Sequence, residues 1–163
     1  MNAVEFDKDI DENLIKEFEK HMEDTLNDMD YQDNKPTEGN PNGMEDYFDS
    51  MSYIKKHYGI FTIRNFGQAI GILASEYFRG VLEVIIYLSE ESRGKGLGSQ
   101  VLGKLEDVVK DNQGHKLVIK TLNDCNVAEY YQKMGFKKRK MTNAFCNQSL
   151  FWFYKNLRYT QSK

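Results

Sequence analysis

A chain of 163 residues, 40% hydrophobic and 29% charged, can bury a sizeable core and has the make-up of an ordinary soluble globular protein, read as one domain over 1–163. No apolar run approaches the ~18 residues of a membrane span, and the acidic start MNAVEFDKDIDE lacks the apolar stretch of a secretory signal, so a cytoplasmic location is expected. The net charge of -3 hides an asymmetry: residues 1–50 hold sixteen acidic residues against four basic ones, which leaves the remainder net basic. An acidic face draws cations and a basic one draws phosphates, although both can also be plain solvated surface.

In chain order, Ile10, Leu14, Ile15, Phe18, Met22 and Leu26 recur at helical spacing and predict an amphipathic helix from about 11 to 30. Residues 31–43 hold both prolines with Gly and Asn and read as a long loop. A short helical stretch follows at 44–56 and completes an acidic helical part, 1–56. Strands are predicted at 58–63 and 69–77 around the turn Asn65-Phe66-Gly67. The run VLEVIIYL from Val81 to Leu88 is almost wholly apolar, as in a strand buried on both faces. Leu97, Val101, Leu102, Leu105, Val108 and Val109 mark a helix to about Lys110, and KLVIKTL from Lys116 to Leu122 is a further strand. Val127, Tyr130, Tyr131 and Met134 predict a short helix stopped by Gly135. Two last strands fit 136–140 and 149–157. The order is helix, helix, hairpin, strand, helix, strand, helix, strand, strand: a mixed α/β sheet with one parallel crossover at its centre.

The chemistry centres on the turn Arg93-Gly94-Lys95-Gly96-Leu97-Gly98-Ser99 between the apolar strand and the helix. A helix start presents unpaired N–H groups and the positive end of a dipole. Glycines let a phosphate approach the backbone, and Arg93 and Lys95 add positive charge. The dinucleotide fingerprint fails at Ser99, where its third glycine belongs, and the Walker pattern fails at Gln100. Cys125 and Cys146, and His21, His57 and His115, form no ligand set with metal spacing, so no metal is expected. A net acidic chain without a recognition motif is not expected to bind nucleic acid.

Arg93-x-x-Gly96-x-Gly98, after a buried strand and opening an amphipathic helix, resembles the acetyl-CoA signature of the GNAT N-acetyltransferase superfamily. A second segment, Asn123 to Phe136, resembles the family's stretch from an asparagine to "YEKLGF", with Tyr131 at the tyrosine. The resemblance covers residues 58 to about 157 and implies a fold with about six to seven strands and about four helices. It implies an enzyme that moves an acetyl group from acetyl-CoA to a primary amine. The other reading is a non-catalytic acyl-CoA sensor or interaction module with the same fold. Homodimers are common in the family, so one is a candidate here.

The resemblance also assigns residues. Backbone groups near Ile86 and Leu88 would pair with the pantetheine arm, and the amides from Arg93 to Ser99 would hold the pyrophosphate. The family's asparagine falls at Asp124, between Asn123 and Asn126, so either neighbour could touch the cofactor. Tyr131 would be the general acid for the leaving thiolate, unless it is only part of the apolar stripe of its helix. Glu83, an ionisable group inside an apolar strand, is a candidate base, with Glu45, Asp46 or a water relay as alternatives. Acid in the N-terminal helices would favour a cationic acceptor. Lys137-Lys138-Arg139-Lys140 reads either as a contact for the adenosine phosphate or as a charged strand edge.

Overall fold

A computed structural model describes residues 3–28, 51–122, 125–142 and 149–157. Seven strands form one sheet: β1 (Val4–Asp7), β2 (Gly59–Asn65), β3 (Gln68–Phe78), β4 (Val81–Leu88), β5 (Lys116–Leu122), β6 (Lys137–Thr142) and β7 (Ser149–Asn156). The spatial order is β1-β2-β3-β4-β5-β7-β6. The pair β4–β5 is parallel and the other pairs are antiparallel. The described helices are α1 (Glu12–Asp28), α2 (Met51–His57), α3 (Leu97–Asp111) and α4 (Cys125–Lys133). These boundaries follow the periodicities closely. The loop at 31–43 and the first part of the second predicted helix lie outside the described residues.

One strand departs from the sequence reading. Val4–Asp7 pairs antiparallel with β2 and forms an edge of the sheet, ahead of the first helix. Its alternation Val-Glu-Phe-Asp is a strand pattern, but four residues are too few to stand out beside an acidic run. Val4 is buried, Phe6 packs on the core, and Asp7 bonds Arg64 Nε at 2.8 Å.

Helices cover both faces of the sheet. On one face α1 lays Leu14, Phe18 and Met22, a strict i, i+4, i+8 row, with Ile54 and Tyr58 against Ile72, Ala74 and Ile85. Asp11 caps α1 by accepting from the N–H groups of Asn13 and Leu14 at 3.1 and 3.0 Å. The amide of Asp11 itself donates to Thr62 Oγ1 at 2.9 Å, which pins the helix start to β2. On the other face Val101, Leu102, Leu105 and Val109 of α3 pack with Leu73, Leu82, Val84, Leu117, Ile119 and Phe153. The hairpin at Phe66-Gly67 has positive φ at both residues, as a tight twisted turn requires.

Candidate functional site

The main structural event is that β4 and β5 part. Their parallel register runs from Val81↔Lys116 to Val84↔Ile119 and stops, although β4 continues to Leu88 and β5 to Leu122. On its other side β4 stays paired with β3 up to Gly71↔Leu88. The β5-facing backbone groups of residues 85–88 therefore have no strand partner, and buried backbone groups need one. An extended ligand with amide groups suits such a slot, as an added strand does.

Gly71 helps to open it. A Cβ there would lie 2.1 Å from the Tyr87 carbonyl oxygen and 3.1 Å from Leu88 Cα. Only glycine lets the end of β4 lean this far onto β3, away from β5. Ser89 N donates to Ile70 O at 2.9 Å and holds that position.

Past the slot, Glu90–Ser92 forms a 3-10 turn and the glycine turn leads into α3. Gly94 and Gly96 both have φ +75, the left-handed region that glycine adopts without strain. Nothing lies within 4 Å of a Cβ built on either, so the turn is open to a ligand. Gly96 caps α3 without a side-chain bond, which leaves the first helix amides facing outward. The Arg93 amide is already bonded to Glu90 O at 3.3 Å, and its Nε donates to Leu88 O at 3.0 Å. Leu97 is buried and anchors the helix in the core, so it can offer only its backbone. Ser99 Oγ donates to Gly96 O at 2.9 Å, and Lys95 is exposed.

Sequence reasoning took Tyr130 only as a marker of the last helix. A Cβ on Gly98 would stand 2.9 Å from the Tyr130 hydroxyl, so α4 lays this phenol directly on the start of α3. The third glycine therefore makes room for a side chain.

Tyr131 stands on the α3 side of the slot, buried among Tyr130, Phe136 and Phe153 with ring centroids 5.5, 5.9 and 5.1 Å away. Gly135, at φ +92, ends α4 in a Schellman motif. Gly135 N bonds Gln132 O, and Phe136 N bonds Tyr131 O at 3.0 Å. The cap thus folds Phe136 back onto Tyr131. Burial, and secondarily Tyr130, pushes the Tyr131 phenol well above its ordinary value, so it stays protonated. Tyr131 is thus a core residue, and Ile86 and Leu88 pack on the same core.

Glu83 lies on the opposite face, in the row with Ile85 and Tyr87, as strand alternation predicts. It is half-buried, and the Tyr58 hydroxyl donates a short hydrogen bond to its Oε2. Lys120, one residue past the parting point on β5, is buried and sits with Nζ 5.7 Å from the Tyr58 ring centroid. Sequence reasoning singled out Glu83 but neither Tyr58 nor Lys120. Lys120 carries the same signal as Glu83, an ionisable group inside an apolar strand.

On this face a cleft of about 580 Å³ opens between α1 and the end of β4. Asp11, Glu17, Asp24, Glu90 and Glu91 outnumber Lys20 and Arg93 along its wall. Tyr87 forms its floor, touching His21 at 5.1 Å and carrying the Arg93 guanidinium 5.5 Å above its ring. Burial, helped by the Glu17 charge, pushes the Tyr87 phenol up. Asn123, Glu45 and Asp46 lie outside the described residues, as does the side chain of Asn126. Lys137 and Lys138 are exposed on β6, an edge strand, which fits the charged-edge reading. Among the described residues no three His, Cys, Asp or Glu side chains gather as metal ligands, and no helix is long and apolar enough to cross a membrane.

This mixed seven-stranded sheet with its helices has the fold of solved acetyltransferases. Among solved structures, the chain is similar to an N-acetyltransferase from Staphylococcus aureus Mu50, at 22% identity and TM-score 0.58, covering 95% of this chain and 99% of that one. It is similar to a Bacillus subtilis acetyltransferase in complex with CoA, at 15% identity and TM-score 0.58, covering 96% and 99%. It is also similar to a GNAT family acetyltransferase from Elizabethkingia anophelis with acetyl-CoA bound, at 20% identity and TM-score 0.54, covering 66% and 84%. No curated protein matches the sequence. The model of the acetyltransferase (GNAT) family matches residues 18–136, and the chain belongs to that family.

Proposed function

We propose that this protein is an N-acetyltransferase that moves an acetyl group from acetyl-CoA to a cationic primary amine. The observation that carries this reading is the parting of β4 and β5, with Tyr131 in the core on one face of the sheet and Glu83 on the other face, just before the strands part. A thioester threaded there has a proton donor on one side and a carboxylate on the other.

In this mechanism the pantetheine arm pairs with the open backbone of 85–88, and the outward amides past Gly94 take the pyrophosphate with Lys95. A main-chain N–H near Ile86 polarises the thioester carbonyl as the charge of the tetrahedral intermediate develops. The acceptor first gives up its ammonium proton to solvent, and the neutral amine nitrogen then attacks the carbonyl carbon and forms a C–N bond. Its proton passes to Glu83, and the C–S bond breaks. The leaving sulfur takes a proton from Tyr131, which solvent then restores. Coenzyme A and the acetylated amine leave.

The acceptor class rests on the cleft. Five carboxylates around an aromatic floor attract a cationic amine and raise its local concentration. A panel of polyamines, aminoglycoside-like amines, lysine and N-terminal peptides, with acetyl-CoA as donor and release of free thiol as signal, tests the reading. Turnover with cationic amines and none with neutral ones of equal size is expected. Tight acetyl-CoA binding with no turnover on any amine would replace it with a non-catalytic acyl-CoA-binding module.

A further inference from the structure

We propose that Tyr58 and Lys120 are positioning residues that hold Glu83 as the base for the acceptor amine. This inference rests on the acetyl-transfer reading above. The three residues come from different parts of the chain: the residue after α2, the start of the open half of β5, and β4. They meet on the acceptor face, next to the point where β4 and β5 part.

The geometry divides the labour. Tyr58 is 7% exposed and is fixed at the backbone by its own N–H to Ile54 O at 2.9 Å. Its hydroxyl donates to Oε2 of Glu83. Among the described residues the other oxygen, Oε1, makes no hydrogen bond, and Glu83 is half-buried, so Oε1 can receive a proton from an arriving amine. The phenol donates to the carboxylate, so the bond fixes the orientation of the Glu83 side chain. Lys120 is 4% exposed, and its ammonium over the Tyr58 ring fixes the ring and strengthens its O–H as a donor. A carboxylate needed only for packing would not require a buried phenol and a buried cation at the entrance of a slot.

The balance of the step is unchanged. The amine proton moves to Oε1 as the C–N bond forms, and Tyr58 keeps its own proton throughout. Tyr58 and Lys120 thus act through Glu83 and not on the substrate.

A double-mutant cycle separates positioning from folding. E83Q should lower kcat by about 10²–10⁴, the usual worth of a general base, with the dissociation constant for acetyl-CoA unchanged. Y58F should lower kcat roughly ten- to hundredfold, the worth of one hydrogen bond to a charged group, again with acetyl-CoA affinity and thermal stability close to wild type. The Y58F penalty should vanish in the E83Q background, because the phenol has nothing left to hold. K120M should lower kcat severalfold in the same direction, and K120R should restore most of it. E83Q at the full rate, or a Y58F penalty that persists undiminished beside E83Q, overturns this inference and leaves acetyl transfer standing. Wild-type protein that turns over no amine overturns both.

Discussion

Replacing Gly71 with alanine tests how the slot is made. A Cβ at this position would stand 2.1 Å from the Tyr87 carbonyl oxygen and 3.0 Å from Leu88 Cδ2. Carbon–oxygen contacts between strands settle at about 3.3 Å, so one strand must yield by roughly 1 Å. The obstacle is main chain, which cannot swing aside as a flexible side chain would. β3 is held from behind by β2, through Thr62↔Ile72 and Ile63↔Gly71. The end of β4 has no strand beyond it, so it moves toward β5 and narrows the slot. Overpacking of this kind costs about 1–3 kcal/mol. For a chain of this size each kcal/mol lowers Tm by ~2–4 °C, so a fall of roughly 2–12 °C is expected. Acetyl-CoA should bind at least tenfold more weakly, and calorimetric titration measures this directly. Gly67→Ala is the control: its φ is +80 but its Cβ meets nothing within 4 Å, so it strains one turn and leaves affinity alone. Gly71→Ala with wild-type affinity would show that β4 parts from β5 for some other reason.

Four further outcomes follow from the site. Tyr131→Phe should lower kcat by ~10²-fold or more while the affinity for acetyl-CoA stays within about twofold; an unchanged kcat would leave Tyr131 a packing residue. The raised Tyr131 phenol also links to stability: the folded form keeps its proton where the unfolded form loses it, so stability is full below pH 10.0 and falls as pH rises beyond it. Alkaline melts should show that loss, and Tyr131→Phe should blunt it. Gly96→Val should cost about 1–2 kcal/mol through its left-handed φ and abolish acetyl-CoA binding by filling the open side of the turn; retained binding would remove the glycine turn as the pyrophosphate site. Asp24→Asn with Glu90→Gln and Glu91→Gln should raise KM for a cationic acceptor about tenfold or more and leave KM for acetyl-CoA alone; an unmoved acceptor KM would place the amine elsewhere.

Much of this protein is written locally in its sequence. Helix α1 is legible because Leu14, Phe18 and Met22 repeat at the helical period, and Asp11 supplies the cap. Strand β4 is legible because a run of eight residues with one charge must be buried on both faces. Gly135 announces the end of α4, and with it the clamp of Phe136 on Tyr131. The glycine turn is legible because left-handed backbone and ligand approach both select glycine. Each of these signals lies within a few residues of the feature it produces.

Other features depend on residues far apart in the chain. Strand β1 exists because β2 offers it an edge, which four residues cannot reveal alone. The slot comes from a register that stops at Val84↔Ile119 and from a contact between Gly71 and Tyr87, and no local pattern encodes the distance between two strands. Glu83 could be suspected from its apolar neighbours, but its partners Tyr58 and Lys120 are chosen by the sheet, which sets three separate segments side by side. Backbone propensity and hydrophobic period act over one turn or one strand, so sequence determined the elements. Strand pairing and helix packing act across the whole chain, so only the tertiary structure decided which side chains face one another across the slot.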